Sequence, residues 1–107
     1  MGLEVTESEG DGMQVIRVSG EVDLNTSPTL RTAILGALDK GSNVGVDLSG
    51  AAYMDSSGVA TLVEGLKSSK NSDQFICLIN PSQAVLKVLQ LARLDSLFDI
   101  RNTEEGA

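Results

Sequence analysis

Two adjacent hydroxyls and a carboxylate stand together in Tyr53-Met54-Asp55-Ser56-Ser57-Gly58. A serine in such company can act as a nucleophile, hold the end of a helix or accept a phosphoryl group. Nucleophilic catalysis is excluded first. The chain contains no histidine, so Ser-His-Asp and Cys-His arrangements, a histidine zinc site and a histidine general base are all ruled out. No G-x-x-x-x-G-K-[ST] loop, G-x-G-x-x-G fingerprint or G-x-S-x-G elbow occurs either. The chain is therefore expected not to be an enzyme, and no metal or cofactor is expected.

Charge removes a second class of function. Fifteen Asp and Glu against eight Lys and Arg leave a net charge of −7. A nucleic-acid phosphate backbone needs a cationic face, so nucleic acid is not expected as a partner. A basic protein surface suits an acidic chain better. The single cysteine, Cys77, cannot form an internal disulfide and lies in the apolar run Phe75-Ile76-Cys77-Leu78-Ile79, where it reads as a small buried hydrophobe. No signal peptide is recognised and no stretch approaches the roughly 20 apolar residues that span a bilayer. The expectation is a soluble, cytoplasmic protein with no membrane insertion.

The elements that must position the serines follow from periodicity. The 107 residues fit one domain, and 41% hydrophobic content suits a globular core, aliphatic because only Tyr53, Phe75 and Phe98 are aromatic. Leu3 and Val5 suggest a short edge strand in an acidic stretch, turning at Gly10-Asp11-Gly12 into a stronger strand over residues 13–19 with Arg17 solvated. Residues 20–28 read as a polar loop ending in Ser27 as N-cap and Pro28 at the first helical position. A helix over 28–39 then turns Leu30, Ala33, Ile34, Ala37 and Leu38 inward, and Lys40-Gly41 ends it.

A strand over 44–48 leads into the serine turn, and Val59, Leu62, Val63 and Leu66 recur at helical spacing after it, to about Lys70. Residues 75–79, apolar throughout, read as a strand covered on both faces. Asn80, Pro81 and Gln83 suggest a capped helix to about Leu91 with Val85, Val88, Leu89 and Ala92 on one face. Leu97-Phe98-Asp99-Ile100 reads as a last short strand and 102–107 as a frayed tail. The order β-β-α-β-α-β-α-β implies a single α/β domain: a small, mixed but mostly parallel sheet covered by amphipathic helices.

The serine turn thus lies where a strand hands over to a helix, the place where unpaired helix N–H groups gather. Four uses remain. Ser56 or Ser57 could simply cap the helix. Either could be phosphorylated by a partner kinase, adding about −1.5 to −2 charges and acting on binding more than on folding. Asp47 or Asp55 could be the aspartyl acceptor of a receiver domain, but the acidic Mg²⁺ pair and late lysine of that chemistry are absent at plausible positions. The helix start could bind an anion, although no basic residue or glycine-rich loop accompanies it. Glu21 and Asp23 read either as a solvated loop or as a second acidic edge beside the turn.

The sequence resembles the STAS-domain family, in particular bacterial anti-sigma factor antagonists. The resemblance rests on Asp47-Leu48-Ser49 and Tyr53-Met54-Asp55-Ser56-Ser57-Gly58-Val59, with Gly20-Glu21-Val22-Asp23 and residues 91–100 in support, and it covers nearly the whole chain. It implies a STAS fold without catalysis of its own. It also implies binding to an anti-sigma factor that is a serine kinase of the GHKL ATPase type, which frees the sigma factor. Phosphorylation of Ser56 would end that binding, and a metal-dependent serine phosphatase would restore it. In the same resemblance Ser57 is the helix-capping neighbour, and Asp23 and Asp55 line a partner-binding surface with Ser56, Ser57 and Gly58. The alternative use of the family is a STAS subunit, not phosphorylated, docking on the ATPase of a lipid-transport ABC system. Which output is regulated, and the oligomeric state, stay open.

Overall fold

The computed structural model describes residues 2–103. Alternating side chains in the first part of the chain form a hairpin of β1 (Leu3–Gly10) and β2 (Met13–Val22), paired antiparallel. Asp11 and Gly12 join them, both at positive φ (55° and 77°), which is the type I′ geometry that matches the twist of paired strands. After α1 (Ser27–Asp39), β3 (Val44–Met54) lies parallel to β2. α2 (Ser56–Asn71), β4 (Ile76–Ile79), α3 (Gln83–Leu91) and β5 (Asp99–Arg101) complete the order, with β4 and β5 again parallel. The mixed, mostly parallel α/β sheet is the one expected from the sequence.

The strands stand side by side in chain order, β1-β2-β3-β4-β5. A sheet that always advances in one direction, joined by right-handed crossovers, places its helices on one face. The packing agrees. Ile16, Val18, Val46, Leu48 and Leu78 form one core with Leu30 and Ile34 of α1, Leu62 of α2 and Val85 and Leu89 of α3. The opposite face carries a small separate cluster, Met13, Cys77 and Ile79, with Val15 against it. Residues 76–79 are thus buried as expected, but helices cover only one side of them. On the other side Met13 folds over Gly45, where an added Cβ would lie 2.9 Å from its sulfur.

Several local expectations are corrected, each because tertiary hydrogen bonding outranks a local signal. Residues 20–22 are not loop: they continue β2 beside β3, which itself runs on to Met54 instead of stopping at Leu48. Ser27 is buried and does not cap α1. The N-cap position is Thr26, whose hydroxyl donates to the Glu21 carbonyl (2.7 Å) and makes no cap bond. Asn80 is not an N-cap either, because its N–H donates to Arg101 O (2.9 Å) and its side chain pairs twice with Thr103. Ser82 caps α3 instead, accepting from Val85 N (3.3 Å) while donating to Ala51 O (2.6 Å). Pro81 and Gln83 shift accordingly, to before the cap and to the first residue of α3.

The ends of the apolar runs also move. Phe75 is exposed and precedes β4, with the Arg101 guanidinium 5.1 Å from its ring centroid. Ala92 is exposed at the end of α3. The last strand starts at Asp99, not Leu97, although Phe98 is buried. Arg17 is half exposed yet paired with Asp47 at 3.2 Å. Of the tail expected to fray, Thr103 is held by Asn80, and residues 104–107 lie outside the described residues.

Candidate functional site

The β2–β3 ladder determines how the serines are presented. Its last bond runs from Asp55 N–H to Val22 O (3.1 Å) and keeps Asp55 extended (φ −108°, ψ −169°), the backbone of an N-cap. The Asp55 carboxylate therefore meets the free N–H groups of α2. Its Oδ1 accepts from Ser57 N (2.9 Å), Gly58 N (3.4 Å) and the Ser57 hydroxyl (2.5 Å). The Ser57 hydroxyl is the main cause holding the Asp55 carboxyl below its ordinary value of 3.8; desolvation opposes it and the backbone amides of Ser57, Gly58 and Asp55 assist. The cap expected from Ser57 is thus supplied by Asp55, and Ser57 acts as a donor to it.

Ser56 is different. It is exposed as the first residue of α2, and among the described residues no group hydrogen-bonds its hydroxyl. Gly58 is buried under the turn: an added Cβ would lie 2.7 Å from Met54 Cγ and 2.8 Å from Val22 Cγ1. Its part in the site is to let α2 settle onto the strand ends.

Asp23 arrives beside this turn because Val22 and Met54 are register partners. Its carboxylate faces its own loop, accepting from Asn25 N (2.9 Å) and Thr26 N (3.0 Å). The structure therefore gathers Asp23, Asp55, Ser56 and Ser57 at one end of the sheet, where the interior strands β2 and β3 finish, and sets Gly58 beneath them. Asp47, the other aspartate considered as an acceptor, lies lower in β3 and is engaged by Arg17 and by the Ser49 hydroxyl (2.7 Å). Leu24 (75% exposed), which the sequence reading passed over, and Tyr53 (49%), to which it gave no role, lie at or just past the ends of the same two strands. No local signal marks them, since an apolar residue is expected to be buried until the neighbouring chain is placed. Among the described residues no group of three or more metal-ligating side chains forms, and no helix is long and apolar enough to cross a membrane.

Comparison with known proteins follows the same outline. The STAS domain family model matches residues 3–107. The anti-sigma-B factor antagonist of Bacillus subtilis (strain 168) is 27% identical over 106 residues, which cover 99% of this chain and 95% of that protein. The structure of the anti-sigma factor antagonist SpoIIAA in its unphosphorylated form matches with a TM-score of 0.79 at 26% identity, covering 96% of this chain and 91% of that one. The Bacillus cell fate determinant SpoIIAA in its phosphorylated form matches with a TM-score of 0.74 at 25% identity, covering 96% and 95%.

Proposed function

The chain belongs to the STAS-domain family, and on that footing we propose that it is an anti-sigma factor antagonist switched by phosphorylation of Ser56. Unphosphorylated, it binds a serine-kinase anti-sigma factor of the GHKL ATPase type and releases the sigma factor; phosphorylated, it lets go until a serine phosphatase resets it. The observation that carries this reading is the division between the two hydroxyls. Ser57 is engaged by Asp55, whereas Ser56 is exposed at the start of α2 where a second protein's active site can reach it. Asp23 and Asp55 stand beside it in the same surface.

The direction of the switch follows from charge. A phosphate on Ser56 adds about −1.5 to −2 charges next to a carboxylate already held ionised. Exposed to water, that charge is solvated and the fold survives. At a docked interface it is desolvated between the Asp55 carboxylate and the nucleotide phosphates of the kinase, where like charges cost several kcal/mol. Incubation with the kinase and ATP, followed by phosphosite mass spectrometry, is expected to find the phosphate on Ser56. Ser56→Ala should keep binding and Ser56→Asp should weaken it by about tenfold or more. No phosphate on Ser56, or equal binding by both variants, would sink the switch.

A further inference from the structure

Building on that partner-switching reading, we propose that Leu24 is the apolar anchor of the interface, seated in a basic-rimmed apolar recess on the kinase, and that Asp23 positions it. Exposed leucines are common and a single one needs no explanation. Leu24 is mounted on a turn closed by its own hydrogen bonds, beside the strand end that carries Ser56. Asp23 accepts from Asn25 N and Thr26 N, Thr26 Oγ1 accepts from Asp23 N (2.9 Å) and donates to Glu21 O (2.7 Å), and Ser27 N donates to Asp23 O (2.8 Å). All of these bonds are made within residues 21–27, and the turn they close carries an aliphatic side chain that is 75% exposed. A turn whose backbone is held in place before docking loses little backbone entropy on binding, which strengthens a small contact.

Position and charge identify the occupant. The bond from Asp55 N to Val22 O joins the strand end that carries Asp23 and Leu24 to the one that carries Asp55 and Ser56, so a protein reaching Ser56 also meets Leu24. Tyr53, the register partner of Glu21 and half exposed, adds a second apolar surface at this end of the sheet. Residues 18–30 and 41–66 contain no Lys or Arg, whereas Glu21, Asp23 and Asp55 all fall within them. The surface around Leu24 is thus apolar in an acidic frame, complementary to an apolar recess with basic side chains at its rim. The other exposed apolar side chains, Phe75 just before β4, Leu91 at the end of α3 and Leu97 before β5, lie away from Ser56.

The test uses the full chain and the purified GHKL-type anti-sigma kinase of the same organism, with calorimetric binding and phosphorylation kinetics. Leu24→Ser is expected to weaken binding about tenfold or more and to raise KM for phosphorylation with little change in kcat, at an unchanged melting temperature. Leu24→Met should restore binding. Asp23→Asn keeps the accepting oxygen while removing one charge of the acidic frame, so it should bind more tightly than Asp23→Ala, which should lose at least as much as Leu24→Ser. Unchanged binding by Leu24→Ser, beside a parent that is bound and phosphorylated on Ser56, overturns the anchor and leaves the switch standing. Asp23→Asn failing as badly as Asp23→Ala overturns the positioning role. A parent that is neither bound nor phosphorylated overturns both the anchor and the switch.

Discussion

Ser56 and Ser57 are chemically identical, yet removing their hydroxyls should have different consequences. Ser56→Ala takes away a group that bonds to nothing described, so stability should change by no more than about 0.5 kcal/mol. Ser57→Ala removes the 2.5 Å bond to Asp55 and should lower the melting temperature. The same substitution has a signature in pH. Asp55 titrates below its ordinary 3.8 when folded, so its cap stabilises the protein fully above that value. The contribution disappears as pH falls through the lower, folded-state value. Ser57→Ala removes the main cause of the depression and should move the Asp55 titration back toward 3.8, as followed by carboxyl NMR. A titration unchanged by the substitution would mean the hydroxyl is not what holds the carboxylate ionised.

Helices α1 and α2 give the element scale its sharpest contrast, because one glycine in each should respond to alanine with opposite signs. At Gly36 in α1 an added Cβ meets nothing within 4 Å, so Gly36→Ala should stabilise by up to about 1 kcal/mol through helix propensity. At Gly58 the same atom would meet Met54 Cγ at 2.7 Å and Val22 Cγ1 at 2.8 Å. Gly58→Ala should therefore destabilise by about 1–3 kcal/mol, lifting α2 from the strand ends. Urea midpoints of the two variants decide this, and a Gly58→Ala protein as stable as the parent would show that the helix start can shift freely. The amphipathic stripes of these helices were readable as sequence: Leu30, Ile34, Ala37 and Leu38 in α1, and Val59, Leu62 and Leu66 in α2, are all buried as expected. The caps were less readable. Ser27, Asn80 and Ser57 each had the right chemistry, but Asn80 is committed to the last strand and Thr103, Ser27 is buried with its N–H on Asp23 O, and the Ser57 hydroxyl is taken by Asp55.

At the scale of the whole molecule, one layer of helices covers one face of the sheet. Leu62 lies where that layer meets the strands and is fully buried. Leu62→Ala should cost about 2–5 kcal/mol, read from denaturant unfolding, because the transfer loss is joined by a cavity that the facing side chains cannot close. A loss below about 1 kcal/mol would mean that the layer repacks. The helix-free face relies on side chains alone. Met13 and Ile79 bury Cys77 there, and the burial raises its thiol pKa above the ordinary value. Nothing in the local pattern of residues 76–79 distinguishes a strand covered by helices on both sides from one covered this way.

The sequence by itself determined the identity and order of the elements, the aliphatic core and the exclusion of histidine chemistry. Each of these depends on residue type and on spacing within one segment, and neither needs a neighbour to be placed. It also carried the family resemblance, through the Asp55-Ser56-Ser57-Gly58 turn and its flanks. The tertiary structure decided which hydroxyl is free and what stands beside it. The backbone of Asp55 is held extended by the carbonyl of Val22, a residue more than thirty positions earlier in the chain. That one bond makes Asp55 the cap, engages Ser57 and leaves Ser56 to solvent. The same strand pairing brings Asp23 and the exposed Leu24 alongside, because a contact between two strand ends exists only once both strands are in register.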